Sequence, residues 1–322
     1  MPDMLLLTYS DFLPLREDPK AIHGALQAVE DAVKAQQSGI IRQNNIVDRY
    51  EGEFEGIRIA LTAGEGIMSG MRLFGNPPNI RSYMLFDGIT RIPIAFMDYG
   101  VLNSMRVGSI AGLAGKYLAP KGARTMGLIG SGWQAPPQVL AMYAGVPTLE
   151  RIKVFSPTQA NREKFAATMT ATIGIPVEPV SSIQEAIDDA DVVDLCAPGH
   201  HDVREPLFDG EWIKPGALVV SMAPSQTHAE FVSRTKVISL WHSLVTPEAR
   251  SPFKELIEDG RLTEKDVIPL GAVIDGANPR NNPNDNVLYH LEGGTAHDLF
   301  VAKWGYEWAV SKGIGQPFDL RA

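Results

Sequence analysis

The chain has 322 residues, of which 44% are hydrophobic and 21% charged, and its formal net charge is −9. This composition is typical of a folded globular protein that is long enough for two domains. The negative charge argues against nucleic acid or an anionic membrane surface as a partner, because both are bound by basic patches. The single cysteine, Cys196, excludes an internal disulfide, and its apolar neighbours predict a small buried side chain.

The first 120 residues predict a separate α+β domain. The segment Met1–Leu7 lacks the basic region of a signal peptide, and no apolar run in the chain is long enough to span a bilayer, so we expect a cytoplasmic protein. The elements predicted in this domain are, in order, a helix, three strand-like segments and a second helix: Pro19–Gln37, Ile57–Leu61, Gly70–Phe74, Arg81–Phe86 and Asn103–Leu118.

A glycine-rich turn follows the apolar run Thr125–Ile129 and opens into a predicted helix between Gln134 and Ala144. Gly130 can form the tight turn, Gly132 lets backbone approach a pyrophosphate, and Ala135 is small enough for helix to pack on strand. The phosphates then bind unpaired N–H groups at the helix N-terminus. The turn therefore predicts a dinucleotide site, with these residues in contact with the cofactor: Gly130, Ser131, Gly132, Trp133, Gln134 and Ala135.

The end of the second predicted strand, Ile152–Phe155, indicates which dinucleotide binds. An acidic residue there would bind the ribose 2′-OH of NAD, whereas hydroxyls and an arginine accommodate the 2′-phosphate of NADP. This chain has Ser156 and Thr158, followed by Arg162, and no Asp or Glu at that position. We therefore expect NADPH, with NADH as the alternative. The opposing interpretation is that Thr158 caps the next helix and Arg162 lies in solvent.

From Arg124 to about Ala223 short β-rich runs alternate with helical segments, a pattern typical of a parallel sheet. Ser182–Glu185 has the spacing of a capping box and predicts a short helix. The predicted strands are Thr125–Ile129, Ile152–Phe155, Val177–Val180, Val192–Cys196 and Ala217–Met222, with further strands at Lys236–Leu240 and Val267–Pro269. Since ligands bind at the carboxyl ends of such strands, we also expect Ala197, Ser221 and Met222 at the cofactor.

The last segment predicts a helix that begins near Thr295–Asp298 and ends at Gly313. We expect it to pack back on the first domain. The predicted fold class is thus α/β, with a Rossmann-type doubly wound parallel sheet inserted into a discontinuous α+β domain. The Rossmann domain would span residues 121–295, and the partner domain residues 1–120 plus 296–322. The active site is expected in the cleft at the carboxyl ends of the strands.

Several motifs occur in an order and spacing that is specific as a set: Pro93–Asp98, Leu102–Arg106, Ala111–Ala119, Gly127–Ala135, Gly293–Asp298 and Ala302. With these motifs the chain resembles the ornithine cyclodeaminase/μ-crystallin family, which includes archaeal-type alanine dehydrogenases and ketimine reductases. The resemblance covers nearly the whole chain. It implies a homodimer joined through the non-nucleotide domain, with each active site between domains. It also implies arginines that bind the substrate carboxylate, and these match Arg42 and Arg106. A planar guanidinium suits a carboxylate.

Two positions depart from the family pattern. The family has lysine in a Gly-x-Lys stretch near the reacting carbon, where this chain has Gly70-Met-Arg72. Arginine stays protonated, so Arg72 can orient or neutralise a carboxylate but cannot act as a recycling proton donor. The aspartate that cyclodeaminases place after the fifth strand is absent from Ser221–His228, and the next carboxylate is Glu230. The missing aspartate disfavours cyclisation of ornithine.

These observations predict a reductase that transfers hydride from NADPH to the C=N carbon of an α-imino acid, or an amino-acid dehydrogenase in the reverse direction. Arg42, Arg72 and Arg106 would hold one or two carboxylates, which allows an imino-dicarboxylate. An imine that enters protonated needs no acid from the enzyme. Otherwise His228, His297 with Asp298, or a bound water is the available proton donor. Asp298 could instead only stabilise the N-terminus of the last helix.

Two alternatives stay open. A non-catalytic NADP-binding protein of the μ-crystallin kind is supported by the replacement of the family lysine by Arg72. An ammonia lyase of the cyclodeaminase kind is disfavoured. The segment His200–Glu205 holds two adjacent histidines, but such neighbours point apart on a strand, so we predict a loop near the cofactor and no metal site. The expected partner is a small imino or amino acid.

Overall fold

A computed structural model describes residues 4–47, 56–64, 66–76, 80–197, 206–223, 226–239, 245, 252–291 and 294–319. The chain divides into two compact units. Unit 1 comprises Met1–Val107 and Gly293–Ala322, and unit 2 comprises Gly108–Glu292.

The strands of the described residues are β1 (Met4–Leu7), β2 (Ile41–Val47), β3 (Gly56–Gly64), β4 (Ser69–Asn76), β5 (Ile80–Phe86), β6 (Pro93–Asp98), β7 (Thr125–Ile129), β8 (Arg151–Phe155), β9 (Val177–Pro179), β10 (Val192–Leu195), β11 (Leu218–Ser221), β12 (Lys236–Ser239), β13 (Val267–Pro269), β14 (Val287–His290) and β15 (Gln316–Phe318). The α-helices are α1 (Tyr9–Phe12), α2 (Ala21–Gln37), α3 (Gly100–Leu118), α4 (Ala135–Gly145), α5 (Gln159–Ile173), α6 (Ile183–Ile187), α7 (Ala229–Ser233), α8 (Phe253–Glu258), α9 (Leu270–Ile274) and α10 (Thr295–Lys312). Short 3₁₀ helices cover Leu13–Glu17, Gly210–Trp212 and Glu264–Asp266.

Unit 1 is built on a sheet with the strand order β15-β1-β6-β5-β4-β3-β2. Its neighbouring strands are antiparallel, apart from the parallel pair β1 and β6. Burial alternates along β3, where Thr62 is buried and Leu61 is exposed, as expected for a strand with one covered face. α10 packs on α2, as its apolar spacing predicts, and Gly24 permits this approach because a Cβ there would lie 2.2 Å from Nε1 of Trp304.

Unit 2 contains a sheet in which every strand pair is parallel, with the order β13-β12-β14-β11-β10-β7-β8-β9. The predicted Rossmann-type sheet is therefore confirmed. The strand order reverses between β7 and β10, and the carboxyl ends of two such strands form the topological switch point where this fold binds ligands. The glycine turn of the sequence analysis begins at the end of β7.

The predicted elements agree with the observed ones to within a few residues. β7 has the predicted bounds, whereas β10 ends before Cys196 and α3 begins earlier, at Gly100. Residue 240, predicted to end β12, lies outside the described residues. Gly313 ends α10 in the left-handed conformation, with φ of 66°. The predicted capping box of α6 is half present, because Ser182 Oγ accepts from Glu185 N while the Glu185 carboxylate bonds to Ser181 instead.

The interior of unit 2 is apolar, and Cys196 is buried at the end of β10 as predicted. An ionisable residue shares this interior. Asp194, on β10, is fully buried, and neither of its carboxylate oxygens has a hydrogen-bond partner among the described residues. None of the helices in the described ranges is both long and apolar enough to cross a membrane.

Candidate functional site

The turn after β7 requires a glycine at position 130. Gly130 has φ of 113°, which L side chains rarely adopt, and a Cβ there would lie 2.7 Å from the carbonyl oxygen of Cys196. Its N–H donates to the carbonyl of Phe155, at 2.8 Å. Gly130 therefore fixes the turn against the ends of both β8 and β10, at the switch point of the sheet.

The rest of the turn is open where a pyrophosphate is expected. A Cβ on Gly132 would meet no protein atom within 4 Å among the described residues, and Trp133 is 44% exposed. α4 begins at the buried Ala135 and has prolines at the next two positions, which carry no N–H. The backbone N–H groups that could bind a phosphate at this helix end therefore belong to the residues of the turn. The residues present fit a dinucleotide phosphate.

The end of β8 holds the residues predicted to select the cofactor. Ser156 is buried, and its hydroxyl accepts a hydrogen bond from Ser131 Oγ at 2.8 Å. Arg162 is half-buried, donates to the Ser156 carbonyl at 3.0 Å and lies 5.9 Å from the centre of the Phe155 ring. Thr158 occupies the N-cap position of α5 without a side-chain cap hydrogen bond. The structure thus holds Arg162 against the end of β8 rather than extended in solvent.

Gln226 joins the carboxyl ends of β10 and β11, a role that the sequence analysis missed. Its Nε2 donates to the carbonyl of Ala197 at 2.8 Å. Its Oε1 accepts from the backbone N–H groups of Met222 and Ala223, at 3.0 and 3.1 Å, and from Ser221 Oγ at 3.1 Å. The predicted cofactor residues Ala197, Ser221 and Met222 are therefore held together by one amide. The only sign of this role in the sequence is a glutamine among small residues shortly after a buried strand.

Unit 1 contains a buried cluster of four side chains, which we call the Arg72 cluster: Arg72, Asn103, Arg106 and Asp298. Arg72 donates from Nη1 to Asp298 Oδ2 at 2.7 Å and from Nη2 to Asn103 Oδ1 at 2.9 Å. Arg106 donates from Nη2 to the same Asn103 oxygen at 2.9 Å, and its Nε lies 3.1 Å from Asp298 Oδ1. Three residues predicted from the sequence, on β4, α3 and α10, are thus brought together.

The two arginines keep Asp298 ionised. Burial alone would raise the pKa of this carboxyl, but the guanidinium groups of Arg72 and Arg106 outweigh burial and lower the pKa below its ordinary value. Tyr99 adds a hydrogen bond from its hydroxyl to the Asp298 carbonyl, at 3.1 Å. Asp298 therefore acts as a fixed negative charge and cannot donate a proton near neutral pH.

Gly70 lies two residues before Arg72 on β4, on the same face of the sheet. A Cβ on Gly70 would lie 2.2 Å from the hydroxyl of Tyr83, so glycine makes room for this fully buried ring. Tyr83 packs against Tyr99 with ring centres 5.1 Å apart, and burial raises the pKa of both phenols. The centre of the Tyr99 ring lies 5.5 Å from the central carbon of the Arg72 guanidinium, so this aromatic pair adjoins the Arg72 cluster.

Arg42 does not join the Arg72 cluster. The register pairs Arg72 with Ala60 on β3 and Ala60 with Asn45 on β2, so these three positions share one face of the sheet. Arg42 is three residues from Asn45, and an odd separation on a strand places it on the opposite face. It pairs with Ala63, which is exposed, and is itself exposed. Arg42 was selected from the sequence, but the face of the strand on which it lies follows only from the register.

The two predicted histidine proton donors lie in different surroundings. His297 is buried, and burial together with the Arg106 charge lowers its pKa to about 4, so the imidazole is neutral at pH 7. His228 belongs to unit 2, where it is the exposed N-cap residue of α7. The segment His200–Glu205 lies outside the described residues. Within the described part of the chain, no three His, Cys, Asp or Glu residues form a group that could hold a metal ion.

Comparison with known proteins gives a consistent result. Residues 69–313 match the model of the ornithine cyclodeaminase/mu-crystallin family. The ketimine reductase mu-crystallin of Mus musculus is 27% identical over 238 residues, which cover 73% of this chain and 72% of that protein. The Δ1-pyrroline-2-carboxylate reductase of Thermococcus litoralis, solved in complex with NADH and L-proline, is 25% identical with a TM-score of 0.82, over 97% of this chain and 99% of that one.

The iminosuccinate reductase of Paracoccus denitrificans, solved in complex with NAD⁺, has the same fold. It is 22% identical with a TM-score of 0.84, and the match covers 99% of this chain and 100% of that one. The likeness extends over both units of the present chain.

Proposed function

Because the chain belongs to the ornithine cyclodeaminase/mu-crystallin family, we propose that it is an NAD(P)H-dependent reductase of α-imino acids, which runs as an amino-acid dehydrogenase in reverse. The reaction adds a hydride to the C=N carbon and leaves a proton on the nitrogen. The observation that carries this proposal is the Arg72 cluster, which presents buried guanidinium groups suited to a carboxylate.

The charge of the Arg72 cluster fits one α-carboxylate. Arg72 and Arg106 bring two positive charges, and Asp298 brings one negative charge, so one positive charge is left for a ligand. Arg72 Nε is buried without a hydrogen-bond partner among the described residues. A substrate carboxylate would satisfy this donor and neutralise the cluster, because buried charges are stable only when paired.

The cluster orients its substrate but does not protonate it. Arg72 stays protonated at any working pH, Asp298 is ionised, and His297 is neutral. The proton on the imine nitrogen therefore arrives with the substrate, as an iminium ion, or comes from outside the cluster, from water or from His228. The cluster therefore suits a substrate whose imine nitrogen is already protonated in solution.

The residues of unit 2 fit a dinucleotide cofactor, because their hydrogen-bond donors and charges suit its phosphate groups. Bound NAD(P)H supplies the hydride. The turn from Gly130 to Ala135 would hold its pyrophosphate, and Ala197, Ser221 and Met222 lie at strand ends next to that turn in the sheet order. Arg162 with Ser156 and Thr158 supports NADPH over NADH, because a guanidinium beside hydroxyl groups suits a 2′-phosphate. We also propose a cytoplasmic homodimer, on the strength of the family resemblance.

The test is the consumption of NADPH, compared with NADH, by the full chain with a panel of α-keto acids plus ammonia or methylamine and of cyclic imines. Turnover with one class of imine, absent from a sample without protein, is the expected result. Tight NADPH binding without turnover on any imine would overturn the proposal and favour the non-catalytic binding protein, for which Arg72 in place of a lysine is the supporting observation.

A further inference from the structure

Arg81 is a third arginine near the Arg72 cluster, and it was not predicted from the sequence. It lies on β5 opposite Phe74 of β4, and Tyr83 of β5 lies opposite Arg72. Residues that pair across strands, and those two apart along a strand, share one face of a sheet. Arg81, Phe74, Arg72 and Tyr83 therefore occupy the same face.

One aromatic ring lies beneath both guanidinium groups. The central carbon of Arg72 is 5.9 Å from the centre of the Phe74 ring, and that of Arg81 is 5.5 Å from the same centre. Such stacking fixes a guanidinium while leaving its edge free to bind an anion. Both guanidinium groups are therefore held within 6 Å of one ring, on the face of the sheet that carries the Arg72 cluster.

Among the residues that the structure describes, Arg81 has no carboxylate partner of the kind that Arg72 has. Among the described residues no Asp or Glu oxygen lies within 4.0 Å of its guanidinium, and its buried Nε has no hydrogen-bond partner. Asp298 and Asp98 act on it only from a greater distance. Burial, with the charges of Arg72 and Arg106, lowers the pKa of Arg81 to about 10, which still leaves it protonated at pH 7. The side chain is half-buried and so is accessible to a ligand.

The charges near the cluster exceed what one carboxylate can balance. Arg72, Arg106 and Asp298 leave one positive charge, which the α-carboxylate neutralises. Arg81 adds another on the same face. Arg72 and Arg106 lower the pKa of Arg81, so these like charges act on one another, and an anion between or beside them would relieve the repulsion. A second negative group on the ligand would supply that anion.

We propose that Arg81 binds a second carboxylate of the substrate, so that the preferred substrate is an α-imino dicarboxylate. This inference rests on the proposed reductase function. It assigns Arg72 and Arg106 to the α-carboxylate and Arg81 to the carboxylate on the side chain, and it makes Arg81 a residue of substrate specificity.

The test compares two substrates of equal chain length, 2-oxoglutarate with ammonia and 2-oxovalerate with ammonia, which differ in the distal carboxylate. Arg81→Gln is expected to lower kcat/KM for the dicarboxylate by roughly 10- to 100-fold, the effect of losing a charged hydrogen bond. It should change kcat/KM for the monocarboxylate by less than about threefold. Arg81→Lys, which keeps the charge but not the planar fork, should fall between wild type and Arg81→Gln for the dicarboxylate.

Arg124→Gln is the matched control. Arg124 is 70% exposed and lies in unit 2 at the amino end of β7, away from the glycine turn at its other end. Its loss should leave the ratio of the two kcat/KM values unchanged. Equal losses for both substrates in Arg81→Gln would indicate a structural role and overturn the inference. A wild-type protein that prefers 2-oxovalerate would overturn it as well, even if no variant folded.

A binding measurement separates this inference from the proposed function. Calorimetry of the full chain with NADP⁺ compares glutarate with valerate. If no imine is reduced, the proposed function fails, yet a glutarate preference lost in Arg81→Gln still supports a dicarboxylate site. If imines are reduced and Arg81→Gln keeps the wild-type preference, the reductase function stands and this inference fails.

Discussion

Arg72 and Asp298 are joined by a hydrogen bond of 2.7 Å between Nη1 and Oδ2, although 226 positions separate them in the sequence. The side chain of Asp298 is 2% exposed and that of Arg72 is 17% exposed. A buried pair of this kind contributes little net stability compared with apolar residues, but the loss of one partner leaves an uncompensated buried charge.

Asp298→Asn should therefore destabilise the protein strongly, because Arg72 and Arg106 would both lose their carboxylate. We expect a loss of about 3 kcal/mol in the free energy of unfolding, measured in urea. Glu307→Gln is the control in the same helix, since Glu307 forms an exposed pair with Lys303. Its expected cost is below about 0.5 kcal/mol. Equal losses for the two variants would show that Asp298 is not the balancing charge.

Arg72→Lys should introduce a titrating group at the Arg72 cluster. Lysine cannot bond both Asp298 and Asn103 with arginine's fixed geometry, so KM for the imine should rise by roughly tenfold or more. A buried amine beside Arg106 should also lose its proton at alkaline pH. We expect kcat/KM of the variant to fall towards high pH in a range where wild type shows no such loss. Parallel pH profiles would contradict this.

Gly130→Ala and Gly132→Ala should separate the fold of the turn from cofactor binding. The first substitution forces a side chain into φ of 113° and towards the Cys196 carbonyl, so it should cost about 2 kcal/mol or more of stability. The second brings the new Cβ within 4 Å of no atom of the described residues, so thermal stability should be retained while NADPH affinity falls. Fluorescence titration and thermal unfolding check both. Unchanged affinity in Gly132→Ala would remove Gly132 from the phosphate site.

Arg162→Gln should weaken NADPH binding and leave NADH binding almost unchanged, because only NADPH carries the 2′-phosphate. The loss of one charged hydrogen bond predicts roughly a tenfold rise in Kd for NADPH. Lys164→Gln on the same helix is the control, since Lys164 is exposed. If both dinucleotides lose affinity equally, Arg162 supports the turn through the Ser156 carbonyl instead.

Asp194→Asn should change how stability depends on pH. Burial raises the pKa of Asp194 to about 8 from 3.8, so the folded state binds this proton more tightly than the unfolded state does. Wild-type stability should therefore fall as pH rises from about 4 to about 8, by up to about 1.4 kcal/mol per unit. The asparagine variant should lack this slope and exceed wild type at pH 8. Asp259→Asn, at an exposed position, should keep the wild-type slope.

Much of unit 2 was predictable because its signals are local. An apolar run followed by Gly130 specifies a strand and a turn within a few residues, and the β7 bounds were correct. β14 was missed since its four buried residues show no alternation, and a short apolar run does not reveal its neighbours. The strand β1 was missed for the same reason, and β15 was missed because its three residues are exposed and include Pro317, so no apolar run marks it.

The candidate site was predicted less well because it depends on pairing across strands. Arg72, Arg106 and Asp298 were selected, but their mutual contacts join segments far apart in the sequence. Arg42 was placed with them although the register puts it on the other face. Arg81 was missed because only the pairing with Phe74 shows which face it occupies. A change of one residue in register reverses such assignments.

The order of segments in unit 1 also governs when that unit can fold. β1 lies between β6 and β15, and α10 supplies Asp298 to arginines encoded near the start of the chain. All of unit 2 is therefore synthesised before α10 and β15, the last elements of unit 1. Until then the edge of β1 that pairs with β15 has no partner strand, and Arg72 and Arg106 lack the carboxylate of Asp298. Unit 2, contiguous from Gly108 to Glu292, is free to fold first, and unit 1 is completed only after α10 and β15 have been synthesised.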